Sequence, residues 1–138
     1  MTRINLIDVR ILSDQHLLAE YRELPRIFTH VYAHGVSKNI PKEFTLGKGH
    51  VLFFTDKLWF LLDRYYKLCN ELQSRGFDIQ HTPEELMDKH ALAIAGQNPH
   101  YIPTSKDIMR SYIRILDKIL QKPDFYKFRG KKLKELIQ

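Results

Sequence analysis

The chain has 138 residues, 43% hydrophobic and 28% charged, the composition of a folded domain rather than of a disordered or low-complexity segment. No apolar run is long enough to cross a bilayer, Arg3, Asp8 and Arg10 stand where a signal peptide would be apolar, and the single Cys69 has no internal disulfide partner, so a soluble cytoplasmic protein forming one domain over residues 1–138 is expected. The net charge of +6 is lopsided: residues 1–98 balance twelve Lys and Arg against twelve Asp and Glu, whereas residues 99–138 hold ten against four, which suits nucleic acid or an acidic membrane surface.

The first twelve residues lack a helical period and read as an extended arm. Ser13 or Asp14 can cap a helix running to His34, with Gly35 as its stop. Leu17, Tyr21, Leu24, Phe28 and Val31 form its apolar face, and Pro25 predicts a kink. Residues 36–49 read as loop. A second helix is expected within His50–Arg75, ended by Gly76. Thr82-Pro83-Glu84-Glu85 is a strong start for a short helix reaching about Ala95. Thr104 or Ser105 caps the last helix, which stops at Pro123 and whose apolar side is Ile108, Tyr112, Ile115, Leu116 and Ile119. No stretch alternates convincingly at period two. The expected fold is all-α, with three main helices and room for a short fourth.

Several constellations could carry chemistry. Lys106, Arg110, Arg114, Lys118 and Lys122 repeat at i,i+4 and can track a phosphate backbone, although a solvated face has the same pattern. Phe125-Tyr126-Lys127-Phe128-Arg129-Gly130-Lys131-Lys132 interleaves stacking rings with cations, as suits opening a base stack. On the first helix Glu23 and His16 fall on nearly the same side, and Arg22 and Arg26 on another; a structural salt bridge is the plain alternative. His30 and His34 have the spacing of a metal pair, but no further ligand accompanies them, so no metal site is expected. Thr2 follows Met1, and methionine before a small residue is normally trimmed. The freed α-amine would titrate near ~7.7–8.0 and be partly nucleophilic at physiological pH, able to form a Schiff base with a sugar carbon.

Thr2-Arg3-Ile4-Asn5-Leu6 and Asp14-Gln15-His16-Leu17-Leu18-Ala19-Glu20-Tyr21-Arg22-Glu23-Leu24-Pro25-Arg26 closely resemble the phage-type pyrimidine-dimer DNA glycosylase (endonuclease V) family. The likeness continues through Gly49-His50-Val51, Phe53-Phe54, Asp56-Lys57-Leu58, Arg75-Gly76-Phe77, Tyr101-Ile102-Pro103, Arg114, Asp117-Lys118-Ile119, Tyr126-Lys127 and Gly130-Lys131. The resemblance implies that the arm threads between helices to the active site. It implies a DNA-repair glycosylase and abasic-site lyase acting on cyclobutane pyrimidine dimers in double-stranded DNA, as a monomer and without metal or organic cofactor. By position, the Thr2 amine attacks and Glu23 is the essential carboxylate. Arg3, Arg22 and Arg26 would hold phosphates, His16 would line the site, and Arg114 and Lys118 would contact phosphates. Phe125, Tyr126, Lys127 and Lys131 fall in a segment tied to dimer recognition. The chain departs from the family in a shorter, less basic segment at 36–45. It also has Phe125 where the family has Trp, and Phe128-Arg129 where it has two tyrosines. The alternative is a non-catalytic helical DNA-binding protein on the same scaffold, which would need neither Thr2 nor Glu23.

Overall fold

A computed structural model, describing residues 1–137, resolves the expected first helix into two. Ser13 caps α1 (Asp14–Glu23), its hydroxyl accepting the His16 N–H at 3.0 Å. Leu24 keeps helical dihedrals, and Pro25 becomes the first residue of α2 (Pro25–His34). A proline at that position gives up only an N–H that a helix start leaves unused, so the helix is interrupted and restarts where the sequence placed its kink. Gly35 ends α2 at φ 75°, a conformation that favours glycine.

The second expected helix also divides, into α3 (His50–Phe54) and α4 (Leu58–Ser74). The break is held from a distance. Gln97 accepts the Leu58 N–H and donates to the Thr55 carbonyl, both at 2.8 Å, so one amide side chain serves both broken ends. Thr82 caps α5 (Pro83–Lys89), and the chain bends at His90 into α6 (Ala91–Ala95). A Thr104–Asp107 capping box opens α7 (Ser105–Gln121). The protein is all-α apart from a two-residue ladder, β1 (Lys127–Phe128) with β2 (Lys131–Lys132), followed by the short α8 (Leu133–Leu136). That ladder is too brief to show period-two alternation. Its signal is the two-residue loop Arg129-Gly130, with φ of 52° and 82°, a hairpin turn type that needs positive φ at both positions.

The core lies where α1, α2 and the arm meet α4. Leu17, Leu24, Ile27, Phe28, Leu58, Leu61, Leu68 and Leu72 are fully enclosed there. Each such side chain contributes roughly 1.5–3 kcal/mol. Phe44, Phe53, Phe54, Phe60 and Tyr101 form a second cluster of mostly edge-to-face rings.

The expected apolar side of α7 needs correction. Ile115 and Ile119 are buried and Ile108 is partly so, but Tyr112 and Leu116 face outward. Ser111 and Asp107 take inward positions instead, because they bond the arm and the helix cap. Among the described residues no helix is long and apolar enough to cross a membrane.

Candidate active site

The arm's backbone N–H groups alternate in direction, as in any extended segment. Arg3 and Asn5 donate to Glu23 Oε1 (2.8 Å) and Glu20 Oε1 (3.2 Å) on α1. Ile4 and Leu6 donate the other way, to His50 Nε2 (2.9 Å) at the start of α3 and to Ser111 Oγ (3.0 Å) on α7. Helical residues three apart share a face, so Glu20 and Glu23 meet alternate residues of the arm. Further along, arginines take the arm's carbonyls. Arg64 donates to Ile7 O at 2.6 Å, and Arg75 reaches the carbonyls of Leu12, Val9 and Arg10. The arm is extended only as far as Asp8, since Val9–Ile11 form one 3-10 turn capped by Asp8; elsewhere its buried polar groups are answered by side chains.

Around the first residues of the arm, Met1, Arg3, Asn5, His16, Ala19, Glu20, Glu23 and Arg114 line a pocket of about 140 Å³. Its two carboxylates differ in their surroundings. Glu20 is enclosed, bound bidentately by Arg64 (2.6 and 3.0 Å) and by the Asn5 amide (2.9 Å), so its charge is spoken for. Glu23 is half-buried and accepts the Arg3 N–H; among the described residues no Lys or Arg lies within ion-pair distance of it. Thr2 is the next residue along the arm, its carbonyl accepting from Arg3 Nη1 at 3.2 Å. Its nitrogen is here a peptide nitrogen joined to Met1, which is exposed.

His16 closes one side of the pocket. Its Nδ1 lies 2.7 Å from Ser13 Oγ, and its ring stacks on Tyr126 with centroids 4.5 Å apart and planes 9° from parallel. Burial, with help from Arg114 and Lys118, pushes its pKa down to about 4, so at neutral pH it is an uncharged wall. Tyr126 is held there because Gln15 on α1 donates to Phe125 O (2.8 Å) and accepts the Lys127 N–H (2.9 Å). The carboxylate of Asp14 accepts the N–H groups of both turn residues, Arg129 at 3.0 Å and Gly130 at 2.9 Å. The tail is therefore pinned along the first turn of α1.

Thr2, Arg3, His16, Glu23, Arg114 and Tyr126 thus come together, whereas Arg22 and Arg26 point to solvent from α1 and α2. The basic stripe of α7 does not act as one unit. Arg114 Nη1 donates to Asn5 Oδ1 at 3.0 Å, tying α7 to the arm. Arg110 donates to the Phe44 carbonyl and, with Lys106, lies near Glu43 at 3.6 and 3.7 Å. Lys118, Phe125, Lys127 and Lys131 are exposed. His30 and His34 stand close, ring centroids 4.9 Å apart, but no group of three or more potential metal ligands occurs among the described residues. A larger cavity of about 760 Å³, between the arm and α4, contains none of the candidate residues. Sequence reasoning named His50 and Asn5 only within shared segments, without a role, and missed Ser111. Their partners lie 46, 105 and 109 residues away, so no local pattern signals them.

Residues 1–85 match the family model described as pyrimidine dimer DNA glycosylase. The chain belongs to that family. As a member it is a DNA-repair glycosylase whose substrate is DNA. The matched segment holds Thr2, Arg3, His16, Arg22, Glu23, Arg26 and His50. Arg114, Lys118 and the tail lie beyond it, and Arg114 and Tyr126 meet the arm and His16 only through the fold.

Proposed function

We propose that this glycosylase excises cyclobutane pyrimidine dimers and then cleaves the strand at the resulting abasic site, with the Thr2 amine, freed by removal of Met1, as nucleophile. The observation that carries the reading is the bond from the Arg3 N–H to Glu23, a carboxylate with no ion-pair partner among the described residues, one residue from that amine. The amine attacks C1′ of the damaged nucleotide while the C1′–N glycosidic bond breaks, its electron pair leaving with the base, which takes up a proton. The Thr2 nitrogen gives up a proton, its lone pair then forms the C1′=N bond as the C1′–O4′ bond breaks and O4′ takes up a proton, and Glu23 stabilises the positive charge on the sugar and the imine. Loss of a C2′ proton to a base then expels the 3′ phosphate, and water releases the enzyme. An amine and a carboxylate suffice for these steps, with neither metal nor organic cofactor.

Arg22 and Arg26, exposed on α1 and α2, suit phosphates on double-stranded damaged DNA, as do Arg3 and Lys118. Phe125, Tyr126, Lys127 and Lys131 offer rings and cations where the tail crosses α1. One protomer contains all of these groups, which favours action as a monomer.

Borohydride trapping on dimer-containing and abasic duplexes tests the nucleophile. Met1-free protein yields a covalent complex, N-terminal acetylation abolishes both trapping and excision, and Thr2→Ser is mild. A blocked protein that still traps sinks the reading and points to a lysine, Lys118 or Lys127 first.

A further inference from the structure

The alternation of the arm's N–H groups has two sides, and Glu23 belongs to the side that must also face the sugar. Whatever holds the arm while Glu23 engages substrate has to act from the opposite side. There the bond nearest Thr2 is Ile4 N–H to His50 Nε2, with both residues 1% exposed. The His50 ring is itself fixed, with Nδ1 2.7 Å from the Thr45 carbonyl and the Phe44 and Phe54 rings edge-on, centroids 5.4 Å away. We infer that His50 is a positioning residue that sets the register of the arm and so aims the Thr2 amine.

A slip of the arm by one residue would exchange the N–H groups facing α1 and α3, so a pin on each side is needed to define the register. The donor identities also decide the tautomer. Ile4 can only donate, so Nε2 carries the lone pair and Nδ1–H donates to Thr45. A protonated ring has no lone pair left for Ile4 and would release the arm. The charged groups facing His50 are Arg3 on the arm and Arg114 on α7; the loop contributes the Thr45 carbonyl and the Phe44 ring, and α3 the Phe54 ring. Burial, aided by both cations and opposed by the bond to the Thr45 carbonyl, keeps the imidazole neutral, with a pKa of about 4.

The effect on chemistry rests on Thr2 being the nucleophile; the effect on the arm does not. The experiment compares His50→Leu and His50→Gln in the full chain freed of Met1. Three quantities are measured: the borohydride-trapping rate at saturating abasic duplex, the Kd for that duplex, and hydrogen exchange of the Ile4 amide. His50→Leu is expected to slow trapping about a hundredfold, as a misaimed reacting group does, with Kd within about twofold. It also raises Ile4 exchange about tenfold, the loss of one hydrogen bond. His50→Gln offers Oε1 to Ile4 and an N–H to Thr45, so it restores most of both and keeps Ile4 protected as the pH falls through 4. Unchanged trapping and exchange in His50→Leu overturn the inference, as does a Gln variant no better than Leu. If acetylated protein still traps, the nucleophile reading has failed, and Ile4 exchange alone then decides for or against His50.

Discussion

Two glutamates three residues apart on α1 have different duties because of their neighbours. Glu20 is neutralised by Arg64 and Asn5, whereas Glu23 keeps its charge available toward the pocket. Glu23→Gln therefore removes single-turnover excision while DNA affinity holds or rises, since a negative charge near phosphates is lost; wild-type excision in this variant would contradict the assignment. Glu20→Ala acts on stability instead. It leaves the buried Arg64 charge without its carboxylate, with only the Ile7 carbonyl to bond, and urea unfolding should show a loss of about 3–5 kcal/mol. His50 adds a pH dependence. Its pKa is 6.5 unperturbed and about 4 in the fold, so between those values the unfolded chain binds the proton and the native state does not. Its contribution is whole above pH 6.5 and falls away toward pH 4, by on the order of 3 kcal/mol. Urea melts at pH 7 and pH 5 should show a drop that is smaller in His50→Gln.

At the scale of the element, local chemistry was readable wherever the cause is local. Ser13, Thr82 and Thr104 cap the helices expected of them, and Gly35 stops α2. The breaks were not readable. The gap between α3 and α4 is clamped by Gln97, 39 and 42 residues further on, so the apolar periodicity runs on across it. The same holds in the site: helical spacing alone puts His16 and Glu23 on one side, but nothing near Ile4 announces His50. The tail hairpin depends on Asp14, whose carboxylate takes two turn N–H groups and the Arg75 guanidinium. Asp14→Ala should speed amide exchange at Arg129 and Gly130 by tenfold or so each, while exchange in the middle of α7 stays as it was.

For the molecule as a whole, the excess of positive charge at the C-terminal end is divided between architecture and surface. Lys118 is exposed on α7, whereas Arg114 is spent partly on Asn5 and Arg110 on the Phe44 carbonyl. DNA affinity measured across a salt series should fall linearly on a log–log plot. Lys118→Ala should reduce the slope by about 0.9, one phosphate, without slowing chemistry at saturation. Arg114→Ala should instead slow the chemical step as well, because it also removes the tie from α7 to Asn5 on the arm. Equal effects of the two substitutions would mean that Arg114 serves only as a phosphate contact.

The arm's bond from Leu6 to Ser111 spans 105 residues, and the tail's bonds to Asp14 span 115 and 116. Pairings so remote in the chain close late in folding, after the helices between them have formed. During synthesis α7 emerges long after the arm, which until then lacks its bonds to Ser111 and Arg114. The arm is thus fully fastened only once the last long helix has been made, because its remaining ties come from that helix alone.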